Sequence, residues 1–147
     1  MISCQCGMQR DSMTSRTPRI LIIEDDADSQ DFLCLLLTVE GYEAIPARGV
    51  GDGLTIALQR NLDLIMIDNW LAEGSGVMLC RYIRAFDTKT PILFHSAAAY
   101  ETDIREAMNA GAQKYITKPS DPDMLLQAIS ELIGQGSADQ VKGKANS

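Results

Sequence analysis

Apolar residues along this chain fall into two alternating patterns. Short runs at 19–24, 42–46, 63–67, 91–95 and 114–117 read as strands, and the segments between them carry apolar residues at helical spacing. Phe32, Leu35, Leu36 and Val39 make one stripe, Leu54, Ala57 and Leu58 a weaker one, and Leu79, Tyr82, Ile83 and Phe86 a third. Ile104, Ala107 and Met108 follow, and Leu125, Ala128, Ile129 and Leu132 close the series. Positions 20–23 and 64–67 are apolar throughout, as expected of strands covered on both faces. Strict alternation of five strands and five helices predicts an α/β fold, a doubly wound parallel sheet with helices on both faces. Gly41 and Gly111 fall just after predicted helix ends, where a left-handed residue is favoured. Asp121-Pro122 reads as an N-cap followed by proline at the first helical position.

At 147 residues the chain makes one domain, placed at 18–134. A polar arm at 1–17 is expected to be flexible, and the Gly/Ser-bearing stretch at 135–147 to be a disordered tail. A net charge of −7 argues against a nucleic-acid surface, which needs clustered Lys and Arg. No stretch approaches the roughly 20 apolar residues of a membrane span, and residues 1–17 lack a signal-peptide core, so a cytoplasmic protein is expected. Cys34 and Cys80 fall in helical patterns as small hydrophobes, and Cys4-Gln5-Cys6 lacks the second pair that a structural metal site needs.

The chemistry sits where strands run out. Glu24-Asp25-Asp26 closes the first, Asp68 the third, Ser96 the fourth, and Lys118-Pro119 the fifth. In a parallel sheet these C-terminal ends share one edge, where open α/β sheets bind ligands. Carboxylates there suit a hard divalent cation, and the hydroxyl and ammonium an anion beside it. Each piece alone has an ordinary reading: a solvated helix start, a turn aspartate, a loop serine, a surface lysine. Their order is what separates the set from chance.

That order resembles the receiver domain of bacterial two-component response regulators, over residues 19–134. The resemblance implies the strand order 2-1-3-4-5 and a set of roles. Asp68 would accept a phosphoryl group from a phosphohistidine on a histidine kinase or phosphotransfer protein. Mg2+ (or Mn2+) would be held by Asp25, Asp68 and the carbonyl of Trp70, with Glu24 acting mostly through water. Lys118 would pair with Asp68 and then with the phosphoryl group, and Ser96 would turn to hydrogen-bond it. Tyr115 would swing inward and alter the face made by helix 101–110, strand 114–117 and helix 121–133, where a downstream protein would dock. The resemblance also implies a cis bond before Pro119. The chain is expected to act as a stand-alone receiver, without direct DNA or membrane binding, as a monomer or a phosphorylation-dependent dimer. It would be a stoichiometric phosphoacceptor with slow self-dephosphorylation, not an enzyme.

Three positions depart from the family pattern. Ala72 stands where proline is frequent, so the loop 69–76 is expected to be looser, and Ser75 stands where aspartate is frequent and is expected to cap the next helix. Ser120 stands where many relatives have phenylalanine, and Trp70 is expected to affect how water reaches an acyl phosphate. His95, the single histidine, precedes Ser96, so strand alternation points it away from the site in a structural role. Gly49-Val50-Gly51-Asp52-Gly53 reads as a loop leading into a helix, lacking the G-x-G-x-x-G spacing. Two rivals are a phosphorylation-independent interaction module on the same fold and an aspartate-nucleophile phosphatase. The latter usually needs a second carboxylate where Trp70 stands.

Overall fold

A computed structural model describes residues 16–59 and 61–146, the backbone alone beyond residue 134. The sheet strands are β1 (Arg19–Ile23), β2 (Glu43–Ala47), β3 (Leu64–Ile67), β4 (Ile92–Ser96) and β5 (Lys114–Thr117). The helices are α1 (Ala27–Val39), α2 (Val50–Gln59), α3 (Gly76–Arg84), α4 (Glu101–Ala110) and α5 (Pro122–Asn146). All pairings in the sheet are parallel, and the order is β2-β1-β3-β4-β5. A short antiparallel ribbon, Trp70–Leu71 with Gly74–Ser75, lies between β3 and α3.

Alternation along the strands sorts the core into two layers. Leu21, Ile23, Ile65, Ile67, Ile92 and Phe94 pack towards α2, α3 and α4, while Ile20, Ile22, Leu64, Met66, Leu93 and Ile116 pack towards α1 and α5. β1 and β3 are buried along nearly their whole length, as their unbroken apolar sequences require. β2 is an edge strand, which is why Pro46 is tolerated there without an N–H for a second neighbour. Chain direction across the sheet reverses between β1 and β3, and that switch point opens the crevice at their C-terminal ends.

The predicted helix stripes need correcting in phase. α1 buries Gln30, Leu33 and Leu37, leaving Phe32, Leu35 and Val39 exposed. Both stripes have helical spacing in this leucine-rich segment. The choice is made by Gln30, whose amide donates to the carbonyls of Glu24 (3.2 Å) and Ala47 (2.9 Å). In α4 the buried residues are Ala107 and Ala110 while Met108 is exposed, and in α2 Ala57 is buried while Leu58 is exposed. Small residues let those helices approach the sheet closely, and hydrophobicity alone over-weights the large ones. In α3, Leu79 and Ile83 are buried as predicted, with Cys80, whereas Tyr82 is half exposed. The α5 stripe holds at Leu125, Ala128, Ile129 and Leu132.

Two boundaries also shift. α2 begins at Val50, so Gly51, Asp52 and Gly53 are helical instead of loop, and Gly53 lies against Ile23 where a Cβ would come within 2.7 Å of it. α5 continues to Asn146, through most of the stretch whose composition predicted a disordered tail. A helix growing from a docked base escapes the nucleation cost, and Ala138, Gln140, Lys142 and Ala145 are good helix formers. Residues 1–15 of the predicted arm, with Cys4 and Cys6, lie outside the described residues. Its end is anchored, with Arg16 paired to Asp63 at 2.8 Å.

Gly41 and Gly111 have φ of +95° and +119°, as their places after α1 and α4 demand. Ser75 caps α3 by accepting the Met78 N–H (3.0 Å), and Asp121 accepts the Asp123 N–H (2.9 Å) at the start of α5. No helix among the described residues is long and apolar enough to cross a membrane.

Candidate functional site

The sheet ladder runs one residue beyond three strands, and each extra rung fixes a residue of the candidate site. Glu24 N–H donates to Ala47 (3.0 Å), Asp68 N–H to Ile23 (3.1 Å), and Lys118 N–H to Ser96 (2.9 Å). Four of the predicted groups thereby share the C-terminal edge of the central strands. Lys118 Nζ lies 2.6 Å from Glu24 Oε1 and 3.2 Å from Asp68 Oδ2. Asp68 Oδ1 accepts the Trp70 N–H at 3.1 Å. The Lys118-Pro119 peptide is cis.

Charge in this cluster is unbalanced, with two carboxylates facing one ammonium and Asp25 beside them. Burial raises the Glu24 carboxyl above its ordinary range, against the Lys118 hydrogen bond, and the Asp68 charge raises it further. Burial pulls the Lys118 ammonium down, but its hydrogen bond to Glu24 and the Asp68 charge prevail, and it is held above its usual value. The surplus of negative charge follows from the geometry, two carboxylates on one ammonium. Oxygen donors with such a surplus suit a hard divalent cation in kind. Among the described residues no three acidic, histidine or cysteine side chains already converge as a metal cluster, and Glu24 is turned to Lys118. Asp25 Oδ2 accepts the Ala72 N–H at 2.7 Å. The third acid, Asp26, caps α1 by accepting the Ser29 N–H (2.9 Å), which holds its carboxyl below the usual range. The ordinary reading of a helix start is therefore right for Asp26 and wrong for Glu24, which is only 3% exposed.

Ser96 is fully buried, and its Oγ accepts the Ala98 N–H at 3.1 Å. Tyr115 already lies inward, stacked on Phe94 with ring centres 5.5 Å apart, and its hydroxyl donates to the Ala98 carbonyl (2.5 Å). The Asn69 amide, buried directly after Asp68, donates to the same hydroxyl at 3.4 Å. Sequence reading passed over Asn69. The available signal was an amide directly after Asp68, just past the end of an apolar strand.

His95 projects to the α1/α5 side, as strand alternation predicts, with Nε2 2.9 Å from Ser120 Oγ and Nδ1 buried without a partner. Ser120 and His95 line a cavity of about 460 Å³ bordered also by Phe32, Leu33, Pro119, Pro122 and Leu125. Burial, helped by the Lys118 charge and opposed by that of Asp68, lowers the His95 pKa from 6.5 to about 4. The unfolded chain thus binds a proton at pH values where the folded one does not, so stability falls as pH drops from 6.5 towards 4. A His95→Gln chain is expected to lose that component, at most about 3 kcal/mol, in denaturant titrations run between pH 7 and 4.

Comparison with known proteins places this geometry. The profile of the response regulator receiver domain matches residues 20–130. The chain belongs to that family. A CheY-like response regulator receiver domain from Methanospirillum hungatei superposes with a TM-score of 0.82 at 28% identity, covering 84% of this chain and 99% of that one. A two-component response regulator from Clostridium difficile gives 0.76 at 26%, covering 80% and 96%. Among curated proteins, a probable transcriptional regulatory protein of Picosynechococcus is 38% identical over 116 residues, covering 74% of this chain and 46% of that protein. The DNA-binding dual master transcriptional regulator RpaA of Synechocystis is 34% identical over 119 residues, 79% of this chain and 49% of its own. The receiver thus spans about half the length of these curated relatives. Their names are those of transcriptional regulators, so they lend no support to the expectation that DNA binding is absent. Receiver domains are signalling domains whose general function is to accept a phosphoryl group.

Proposed function

We propose that this receiver accepts a phosphoryl group on Asp68 from a phosphohistidine of a histidine kinase or phosphotransfer protein. The observation that carries the reading is the Asp68–Lys118–Glu24 cluster on the sheet edge, with the ammonium 3.2 Å from the acceptor carboxylate. Asp68 Oδ would attack phosphorus in line as the P–N bond breaks, its electron pair leaving on the imidazole of the donor. Lys118 meets the charge on the transferring oxygens, and the Trp70 N–H holds one acceptor oxygen so that the other is presented. Asp25, Asp68, the Trp70 carbonyl and, through water, Glu24 would hold Mg2+ or Mn2+. That cation supplies the neutralisation that two meeting anions require.

Ser96 ends β4 at the same sheet edge, with its hydroxyl engaged only by Ala98 N–H among the hydrogen bonds described. Turning it to the phosphoryl group frees that amide, and the Ala98 carbonyl is the same group that Tyr115 grips. The modification would thereby bias the α4-β5-α5 face, a population shift read by a downstream protein. Output through DNA, through a protein partner or through a phosphorylation-dependent dimer all use that bias.

Trp70 provides the test. It is the single tryptophan, 60% exposed and two residues from the acceptor. Its fluorescence is expected to change saturably with Mg2+ and again with beryllofluoride or acetyl phosphate. Absence of both responses would leave the fold as a phosphorylation-independent interaction module.

A further inference from the structure

The ribbon after the acceptor is held from both sides by carboxylates. On one side Asp25 Oδ2 takes the Ala72 N–H at 2.7 Å. On the other, Glu73 Oε1 takes the Gly51 N–H at 3.2 Å, in the first turn of α2. That amide is one of the donors a helix start leaves unpaired, and the helix dipole favours a carboxylate there. Gly49 leaves the room for it, since a Cβ at that position would fall 2.5 Å from Glu73 Oε1. The sequence expectation of a looser loop, drawn from the missing proline at Ala72, is met by a different brace. A proline at 72 would have no N–H to give.

We infer that Glu73 is a positioning residue for the cation site: by anchoring the ribbon to α2 it holds the Ala72 N–H that orients Asp25. The inference rests on the reading of Asp25 and Asp68 as cation ligands. One oxygen of Asp25 is fixed by Ala72, which leaves its other oxygen aimed by the same bond. Hydrogen bonds of this kind to a ligating carboxylate commonly change metal affinity by about 10–100-fold when removed.

Calorimetric titration of the full chain with Mg2+ tests it, alongside amide hydrogen exchange in the metal-free protein. Glu73→Ala is expected to weaken Mg2+ binding about 10-fold and to speed exchange at Ala72. Glu73→Gln, whose amide oxygen still accepts from Gly51, is expected to retain both. Ala72→Pro removes the donor, while also fixing φ at 72, and is expected to weaken binding similarly, and the double variant Glu73→Ala/Ala72→Pro to be no weaker than either single one. Unchanged Mg2+ affinity in Glu73→Ala overturns the inference, as does a Glu73→Gln chain as weak as Glu73→Ala. So does a loss that merely follows a lowered Tm of the metal-free chain. An unsubstituted chain that does not bind Mg2+ overturns the cation reading itself, a result distinct from all of these.

Discussion

Asp68→Asn is expected to abolish phosphoryl uptake while leaving the chain folded. The reason is local. Asp68 is held by its N–H on Ile23 and presents its carboxylate beside Lys118, so the amide replaces one oxygen of the attacking group without disturbing the ladder. An amide oxygen is a far poorer nucleophile than a carboxylate and forms no acyl phosphate. Removing the charge also relieves Glu24, whose carboxyl the Asp68 charge raises. Glu24 and Lys118 then form a balanced pair, and the variant should be as stable as the unsubstituted chain or slightly more so. Intact mass after incubation with a phosphohistidine donor or acetyl phosphate reads the first outcome, and thermal unfolding the second. A persistent adduct on Asp68→Asn would move the acceptor elsewhere.

Lys118→Met should show two effects at once. Without the ammonium, phosphoryl uptake is expected to fall about 10²–10³-fold, as when a single preorganised donor to a developing charge is lost. Stability at neutral pH should fall by about 3 kcal/mol, because Glu24 is left buried without its cation. The pH dependence identifies the cause. Glu24 already holds its proton more tightly folded than unfolded, and in the variant it would do so further. The native state then binds the extra proton, so the deficit should shrink as pH falls from neutral towards the ordinary carboxylate range near 4.5. In the unsubstituted chain the contribution of Lys118 is present below its ordinary 10.5 and is lost only as pH rises through its higher folded value. A deficit that stays constant from pH 7 to 5 would mean that packing, not charge, is what Lys118 supplies.

Much of this architecture is legible one residue at a time. β1 and β3 are apolar at consecutive positions, which only a strand covered on both faces tolerates, and the acids that follow are the first polar groups at its end. Pro46 marks an edge strand, and Gly111 marks a helix end by its left-handed backbone. Where sequence reading slipped, as at Phe32, Leu35 and Val39, the helix offered two apolar stripes of equal period. A buried glutamine, bonded to the carbonyls of Glu24 and Ala47, decided between them. Periodicity carries no information about a polar residue that finds partners on another element.

The candidate site divides along the same line. Order along the chain brought Glu24, Asp68, Ser96 and Lys118 together, because each follows a strand of one parallel sheet and parallel strands end at a common edge. Their pairing is different in kind. That Glu24 is buried on Lys118 while Asp26 caps a helix, that Ser96 is engaged by Ala98, and that Glu73 reaches the start of α2 are matters of a few ångströms between separate elements. The sequence by itself determined the fold and which polar groups gather at its sheet edge, since both follow from local pattern and chain order. Only the tertiary structure decided which groups share protons and which amides orient them, since hydrogen bonds and charge depend on distances across the fold and not along the chain.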